Sequence, residues 1–508
     1  MHDYIKKILT ARVYDVAIES PLEVMSRLSR RLNNRVLLKR EDLQPVFSFK
    51  LRGAYNKIIN LPRESLDRGI LCASAGNHAQ GVALAAQRLG IKATIVMPRT
   101  TPAIKVQAVR DRGGKIVLFG DTYDEAYQHA RHLEADKGLI FIHPYDDPDV
   151  IAGNGTIGME ILRQHPDPIE AIFIAVGGGG LIAGVAAYVK FLRPEIQVIG
   201  VEPDDAASMH EALKHGQRVM LDQVGIFADG VAVRQVGEET FRLARDLVDE
   251  IIVVSVDEIC AATKDIFDDT RSIAEPAGAL GTAGLKKFVE RTGVTGANLI
   301  AINCGANINF DRLRHVAERA ELGERREVLL AVTIPEQPGS FRKFCQAIGK
   351  RSITEFNYRY ADTRQARVFA GVQLTEGEEE KQRIIDTLRE HGYPVVDMSD
   401  NEMAKLHVRY MVGGHAPGIR DELLYRFQFP ERPGALLKFL TGMAHGWNIS
   451  LFHYRNHGSD HGRVLVGIQV PEAERPRFDQ FIRDLGYPYC EESDNPAYQL
   501  FLDGRSQP

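Results

Sequence analysis

Cysteine is scarce and never paired in this chain. Cys72, Cys260, Cys304, Cys345 and Cys490 are scattered over 508 residues, with no C-x-x-C spacing. That pattern excludes a disulfide framework and a zinc-ribbon type of metal site, and it predicts a reducing compartment. An excess of one charge is missing as well. Lys plus Arg is 63 against 68 Asp plus Glu, a net charge of −5, so nothing marks a nucleic-acid groove or a basic membrane patch. Long apolar runs are also absent. Ala171 to Val189 carries no charge, but Gly177-Gly178-Gly179-Gly180 interrupts it, which suits a loop and not a spanning helix. The opening MHDYIKKILT has neither an apolar signal core nor a cleavage site. These absences predict a cytoplasmic protein with no membrane and no nucleic-acid partner. A hydrophobic content of 44% excludes disorder and supplies a large core.

What is present reads as α/β. Apolar runs at Ile70–Ala73, Ala93–Met97, Lys115–Phe119, Ala171–Val176, Val198–Val201, Ile251–Val254 and Leu299–Asn303 have the character of strands covered on both faces. Helical stretches such as Asp124–Asp136 and Glu238–Asp249 alternate with them, and the alternation predicts an open parallel sheet, or two. Near residue 320 a charge-dense segment, Glu318 to Glu327, marks a connecting helix end or linker.

Beyond it the chain repeats itself. Pro335-Glu336-Gln337-Pro338-Gly339-Ser340-Phe341 recurs as Pro430-Glu431-Arg432-Pro433-Gly434-Ala435-Leu436. Ile353 to Arg359 recurs as Ile449 to Arg455, and Gly392-Tyr393-Pro394 as Gly486-Tyr487-Pro488. Three matched blocks mean two copies of one unit. Each copy reads strand, helix, strand, strand, helix, strand, the ferredoxin-like order. The stripes Phe341, Phe344, Cys345, Ile348 and Leu436, Phe439, Leu440, Met443 have helical spacing and are read as core, as is Phe478, Phe481, Ile482, Leu485.

Four blocks in the first part carry chemistry. Ser48-Phe49-Lys50-Leu51-Arg52-Gly53-Ala54 places Lys50 at a helix start, where a desolvated amine acts as nucleophile or base. Ser74-Ala75-Gly76-Asn77 follows a strand and opens a helix, an anion-binding turn; His78 beside it is read as structural. Val176 followed by Gly177, Gly178, Gly179, Gly180 and Leu181 lets a backbone wrap a phosphate. It is not a dinucleotide fingerprint, so a mononucleotide or a cofactor monophosphate fits better. Asn303-Cys304-Gly305-Ala306-Asn307 closes another strand, and Cys304 is either small core or a ligand-facing residue.

Together these blocks resemble the fold-type II pyridoxal-phosphate enzymes, in the threonine/serine dehydratase branch. The duplicated tail resembles the ACT family of amino-acid-sensing domains, and the combination resembles the biosynthetic threonine dehydratases. The resemblance implies a catalytic domain over residues 1–320, with a smaller subdomain near 46–146, and ACT-like domains over 327–398 and 422–493. It implies that Lys50 carries pyridoxal 5'-phosphate, that Asn77 bonds its ring hydroxyl, and that Gly177 to Leu181 hold its phosphate. Cys304 then faces the pyridine nitrogen. Ser74, Ala75, Gly76 and Asn77 hold the carboxylate of L-threonine, which leaves as 2-oxobutanoate and ammonia. Isoleucine as inhibitor, valine as activator and a homotetramer are implied with it.

Serine racemase shares the scaffold, but Ala75 stands where that family has a second acid/base serine, which favours elimination. A serine-preferring dehydratase differs by one methyl in a pocket. A non-catalytic sensor would need neither Lys50 nor the glycine loop. Glu202 resembles the racemase cation site, yet Ser208 replaces its aspartate, so no metal is expected.

Overall fold

The computed structural model describes residues 2–335, 340–349, 351, 353–359, 365–410, 419–430, 435–443, 447–455 and 461–502. Its first ten strands are β1 (Leu22–Val24), β2 (Arg35–Arg40), β3 (Ile70–Ala73), β4 (Ala93–Met97), β5 (Lys115–Leu118), β6 (Ile140–Phe141), β7 (Ala171–Ala175), β8 (Gln197–Pro203), β9 (Glu250–Val254) and β10 (Asn298–Asn303). They form a sheet ordered β1-β2-β10-β7-β8-β9 and another ordered β5-β4-β3-β6. Pairing is parallel throughout except at the edge, where β1 runs antiparallel to β2. All seven expected strands are present. The second strand, β2, lies beside β10 in the sheet and is missing from the sequence reading, because Lys39 and Arg40 make it look like surface. Both are buried.

Helices on these sheets explain the apolar runs. Val36, Leu38, Ile172, Ile174, Val198, Leu299 and Ile300 are all fully buried, each contributing about 1.5–3 kcal/mol relative to exposure. In a parallel sheet the connections lead from carboxyl ends of strands to helix N-termini, so ligand sites gather there. The turns after β2, β3, β7 and β10 hold all four sequence blocks. These elements belong to one compact unit, Met1–Ala320. No helix among the described residues is long and apolar enough to cross a membrane.

The second unit is Glu321–Pro508. Its strands are β11 (Glu327–Pro335), β12 (Ile353–Arg359), β13 (Gln365–Gln373), β14 (Val395–Asp397), β15 (Glu422–Pro430), β16 (Asn448–Arg455), β17 (His461–Gln469) and β18 (Tyr489–Glu491). Two antiparallel sheets result, β12-β13-β11-β14 and β16-β17-β15-β18, each with two helices in the ferredoxin-like order. Even the register shift in the second strand recurs, at Ile353/Glu355 and at Ile449/Leu451. Of the helical stripes, Phe344, Ile348, Phe439, Met443, Phe478, Ile482 and Leu485 are core. The side chains of Phe341, Cys345, Leu436 and Leu440, and the turns at 336–339 and 431–434, lie outside what the structure describes.

The opposite sheet faces share a core. Leu329, Ala331 and Phe369 of the first copy join Leu424 and Leu465 of the second, with Met403 and Tyr498 from short helices. A fourth repeated block supports this contact: Ser399-Asp400-Asn401 recurs as Ser493-Asp494-Asn495. Ser399 Oγ accepts from the Leu329 N–H at 3.1 Å and Ser493 Oγ from the Leu424 N–H at 3.0 Å. Asn401 Nδ2 donates to Asn495 Oδ1 at 3.1 Å, pairing the copies directly.

Candidate active site

Lys50 opens the helix Lys50–Ile59, and the loop after β10 fixes where that helix begins. Ser48 pairs with Gly305 as an isolated antiparallel bridge, Phe49 N–H donates to Cys304 O at 3.2 Å, and Ala306 N–H donates to Phe47 O at 2.8 Å. Lys50 and Cys304, far apart in sequence, are thereby brought together. The Lys50 amine is partly buried and donates weakly to Pro144 O at 3.4 Å. Burial lowers its pKa to about 8, against the opposing pull of Cys304 and Glu275. An amine so placed is a base near neutral pH. Burial pushes the Cys304 thiol up, well above its usual range. Cys304 stays protonated and donates Sγ–H to Ala277 O at 3.3 Å.

The glycine loop joins β7 to the helix Gly180–Leu192. Gly179 has φ +92°, left-handed backbone that favours glycine, and a Cβ on Gly178 would sit 2.2 Å from the Tyr145 ring. Thr240 Oγ donates to Gly178 O at 2.7 Å. Its carbonyl side is therefore occupied by protein. The N–H groups of Gly179, Gly180 and Leu181 have no acceptor among the described residues, as expected for a helix N-terminus. Three orphaned donors on a tight backbone are an anion cradle of phosphate size.

The turn after β3 contributes the other edge. Ser74 Oγ accepts from the Gly76 N–H at 3.3 Å, Ala75 is partly buried, and a methyl on Gly76 would meet nothing within 4 Å. The turn borders open space. Asn77 starts the helix Asn77–Leu89; its Oδ1 accepts from Asn307 Nδ2 at 2.7 Å and its Nδ2 donates to Glu275 at 2.5 Å. His78 is buried and its pKa falls to about 3 through burial and the Lys50 charge. Neutral at working pH, it must donate its Nε2–H to Ile142 O at 2.9 Å, a structural role.

Several groups here escape sequence reasoning. His143 Nδ1 accepts from the Asp146 N–H at 2.8 Å, and burial lowers this imidazole to about 4. Asp146 in turn caps the helix Glu238–Leu247 through Glu238, Glu239 and Thr240 N–H groups. The segment from His143 to Asp147 thus fixes Tyr145 against the glycine loop. Nothing in its local pattern signals that. Asn307 lay inside a noted block without an assigned role, and Glu275 gave no signal beyond preceding a proline. Glu202 accepts the N–H groups of Met209 and His210, both at 2.8 Å. It is spent as a helix cap, and no group of three metal-ligating side chains occurs among the described residues.

A family model described as pyridoxal-phosphate dependent enzyme matches residues 13–305, and one described as the C-terminal regulatory domain of threonine dehydratase matches 318–408 and 413–502. L-threonine dehydratase biosynthetic IlvA of Burkholderia multivorans is 58% identical over 504 residues, 99% of each chain. The Escherichia coli protein of that name is 53% identical, covering 99% of this chain and 97% of its own. Among solved structures, the processed form of threonine deaminase isoform 2 from Solanum lycopersicum superposes with TM-score 0.62 at 55% identity, over 63% of this chain and 93% of that one. Maize serine racemase follows with TM-score 0.58 at 31% identity, over 62% and 96%.

Proposed function

The chain belongs to the biosynthetic threonine dehydratases, pyridoxal-phosphate dependent lyases with a C-terminal regulatory region, and from that membership we propose the residue roles that perform its reaction. The observation that carries the assignment is Lys50: a partly buried amine, lowered to about 8, at the carboxyl ends of the strands beside an anion cradle.

Gly177, Gly178, Gly179, Gly180 and Leu181 would hold the cofactor's phosphate, Lys50 would anchor its aldehyde end, and Asn77 would bond its ring hydroxyl. Cys304 would face the ring nitrogen. Bound there, pyridoxal phosphate supplies a sink for the electron pair left at the substrate Cα. Ser74, Ala75, Gly76 and Asn77 hold the carboxylate of L-threonine with backbone N–H groups. The free Lys50 Nζ takes the α-proton and returns it to the β-hydroxyl, which leaves as water, and the released enamine hydrolyses to 2-oxobutanoate and ammonia. A neutral thiol at position 304 cannot balance a protonated ring nitrogen as a carboxylate would. Keto-acid release from threonine and from serine tests the substrate assignment; release from serine alone would overturn it.

A methyl on Gly178 has nowhere to go but into Tyr145. Gly178→Ala should cost about 1–3 kcal/mol of loop packing, weakening retention of pyridoxal phosphate by roughly tenfold or more. Equilibrium dialysis followed by absorbance reads this directly.

The division into a catalytic region at 1–320 and ACT-like regions at 327–398 and 422–493 is supported by the two compact units and the spans of the family models. The regulatory unit takes isoleucine as inhibitor and valine as activator, within a homotetramer. Its duplication supports this assignment. Phe356, Phe452 and Tyr454, whose side chains are outside the described residues, carry no assigned contact. Linkage then requires reciprocity: isoleucine should raise the threonine half-saturation of the intact chain, and a substrate analogue should weaken isoleucine binding by the same factor. Calorimetry on the holoenzyme measures both halves, and unequal factors would break the scheme.

A further inference from the structure

Glu275 takes no part in the reaction above, yet it is only 3% exposed and stands in the site. It directly precedes the helix Pro276–Thr292. Its N–H donates to Gly305 O at 3.1 Å, and its carboxylate lies over Gly305 so closely that a Cβ there would come within 2.4 Å of Oε1. Oε1 accepts from Asn77 Nδ2 at 2.5 Å.

The direction of that bond is forced. Val46 O can only accept, so the Asn307 nitrogen at 2.8 Å from it must be the amide NH₂. The same Nδ2 lies 2.7 Å from Asn77, which must present Oδ1 to it. Asn77 therefore turns its own NH₂ toward Glu275. One Nδ2 hydrogen is spent on the carboxylate. The other has no acceptor among the described residues and is left for a ligand oxygen.

The charged groups facing Glu275 come from several elements. Asp229, from the turn Asp229–Val231, is bound by Lys105 Nζ at 2.5 Å, from the helix Ala103–Arg110. Arg312, at the start of the helix Arg312–Gly323, holds it from the other side at 3.2 Å. Burial first, and then the Asp229 charge, raise the Glu275 carboxyl to about 7, although Asn77, Lys105 and Arg312 pull the other way.

We propose that Glu275 is a positioning residue: through Asn77 Nδ2 it aims an N–H at the cofactor's ring oxygen, and its own proton sets the charge beside that ring. The inference rests on the pyridoxal phosphate reading of the site. When Glu275 is ionised, its bond to Asn77 is charge-assisted and a negative charge stands next to the ring. When it is protonated, that charge is gone.

The test is a pH titration of the visible absorbance of the holoenzyme for wild type, Glu275→Gln and Glu275→Asp, with borohydride trapping and peptide mapping of each. In wild type the band should change through a midpoint near neutrality, and kcat should bend at the same pH while KM moves little. Glu275→Gln should lose the transition with Lys50 still labelled, and kcat should fall by roughly tenfold or more. Glu275→Asp should restore a transition at a displaced midpoint. A wild-type midpoint retained in Glu275→Gln, or no transition in wild type, overturns the proposal. Failure to label Lys50 in wild type overturns the cofactor reading instead, so the two failures are distinct.

Discussion

Lys50→Ala abolishes 2-oxobutanoate formation, to below about 10⁻³ of wild type, together with the visible absorbance of the bound cofactor. In the proposed reaction two jobs fall on one amine, anchoring and proton removal, and alanine supplies neither. The geometry explains why no neighbour replaces it. His78 and His143 are the nearby bases, but His78 is committed to Ile142 O, and His143 accepts the Asp146 N–H through Nδ1. Cys304 is held protonated by burial. The position also sets a pH dependence. An amine lowered to about 8 is increasingly unprotonated as pH rises through that value, so proton abstraction should gain between pH 7 and 9. Phosphate binding should survive in the variant, because the orphaned N–H groups of the glycine loop are untouched. Pyridoxal phosphate should therefore still bind, dialysable and without the wild-type spectrum. A variant that retained turnover would remove Lys50 from the mechanism.

Apart from Lys50, Asn77 and Cys304, which sit inside the motifs themselves, the parts of this site readable from sequence are those made of backbone. Four consecutive glycines at a strand end, or a small-residue turn before a helix, declare themselves because few other uses exist for them. Side chains that act across the fold do not. Glu275 reaches Asn77 over 198 positions of sequence, and Asn307 reaches Val46 over 261; neither has a periodicity to betray it. The strand β2 was hidden for a related reason. Hydrophobic patterning treats Lys39 and Arg40 as solvated, whereas here Lys39 is buried against Glu160 and Arg40 against Asp42. In the second unit the strands were legible through repetition, and the Ser-Asp-Asn pair, which holds the copies together, escaped notice because its blocks are short.

Lys39, one of the charges that hid β2, also belongs to a buried ionic cluster of the catalytic unit. Arg52, two residues beyond Lys50, is fully buried with Lys39, Glu41 and Glu160, two cations and two anions that sum to zero. Its Nε and Nη2 donate to Glu41 at 2.8 Å each, and Nη1 reaches Glu160 at 2.6 Å and Thr156 at 3.1 Å. Lys39 Nζ bonds Glu160 and Ser20 O, both at 2.6 Å. These bonds join β2, the Lys50 helix and the helix Pro148–Gln164. Burial alone would raise the Glu41 carboxyl, but Arg52 holds it below the usual range. Arg52→Leu removes that counter-charge and leaves two buried carboxylates facing one ammonium, at a cost of about 3–5 kcal/mol. Restoring neutrality with Arg52→Leu plus Glu41→Leu should recover a good part of the loss, since a balanced apolar replacement of a buried pair is often nearly neutral. The chain's single tryptophan, Trp447, belongs to the second unit. Urea unfolding followed by cofactor absorbance should therefore shift strongly in Arg52→Leu while the Trp447 fluorescence transition stays in place. Equal shifts in both signals, or none in either, would show that this quartet does not hold the Lys50 helix.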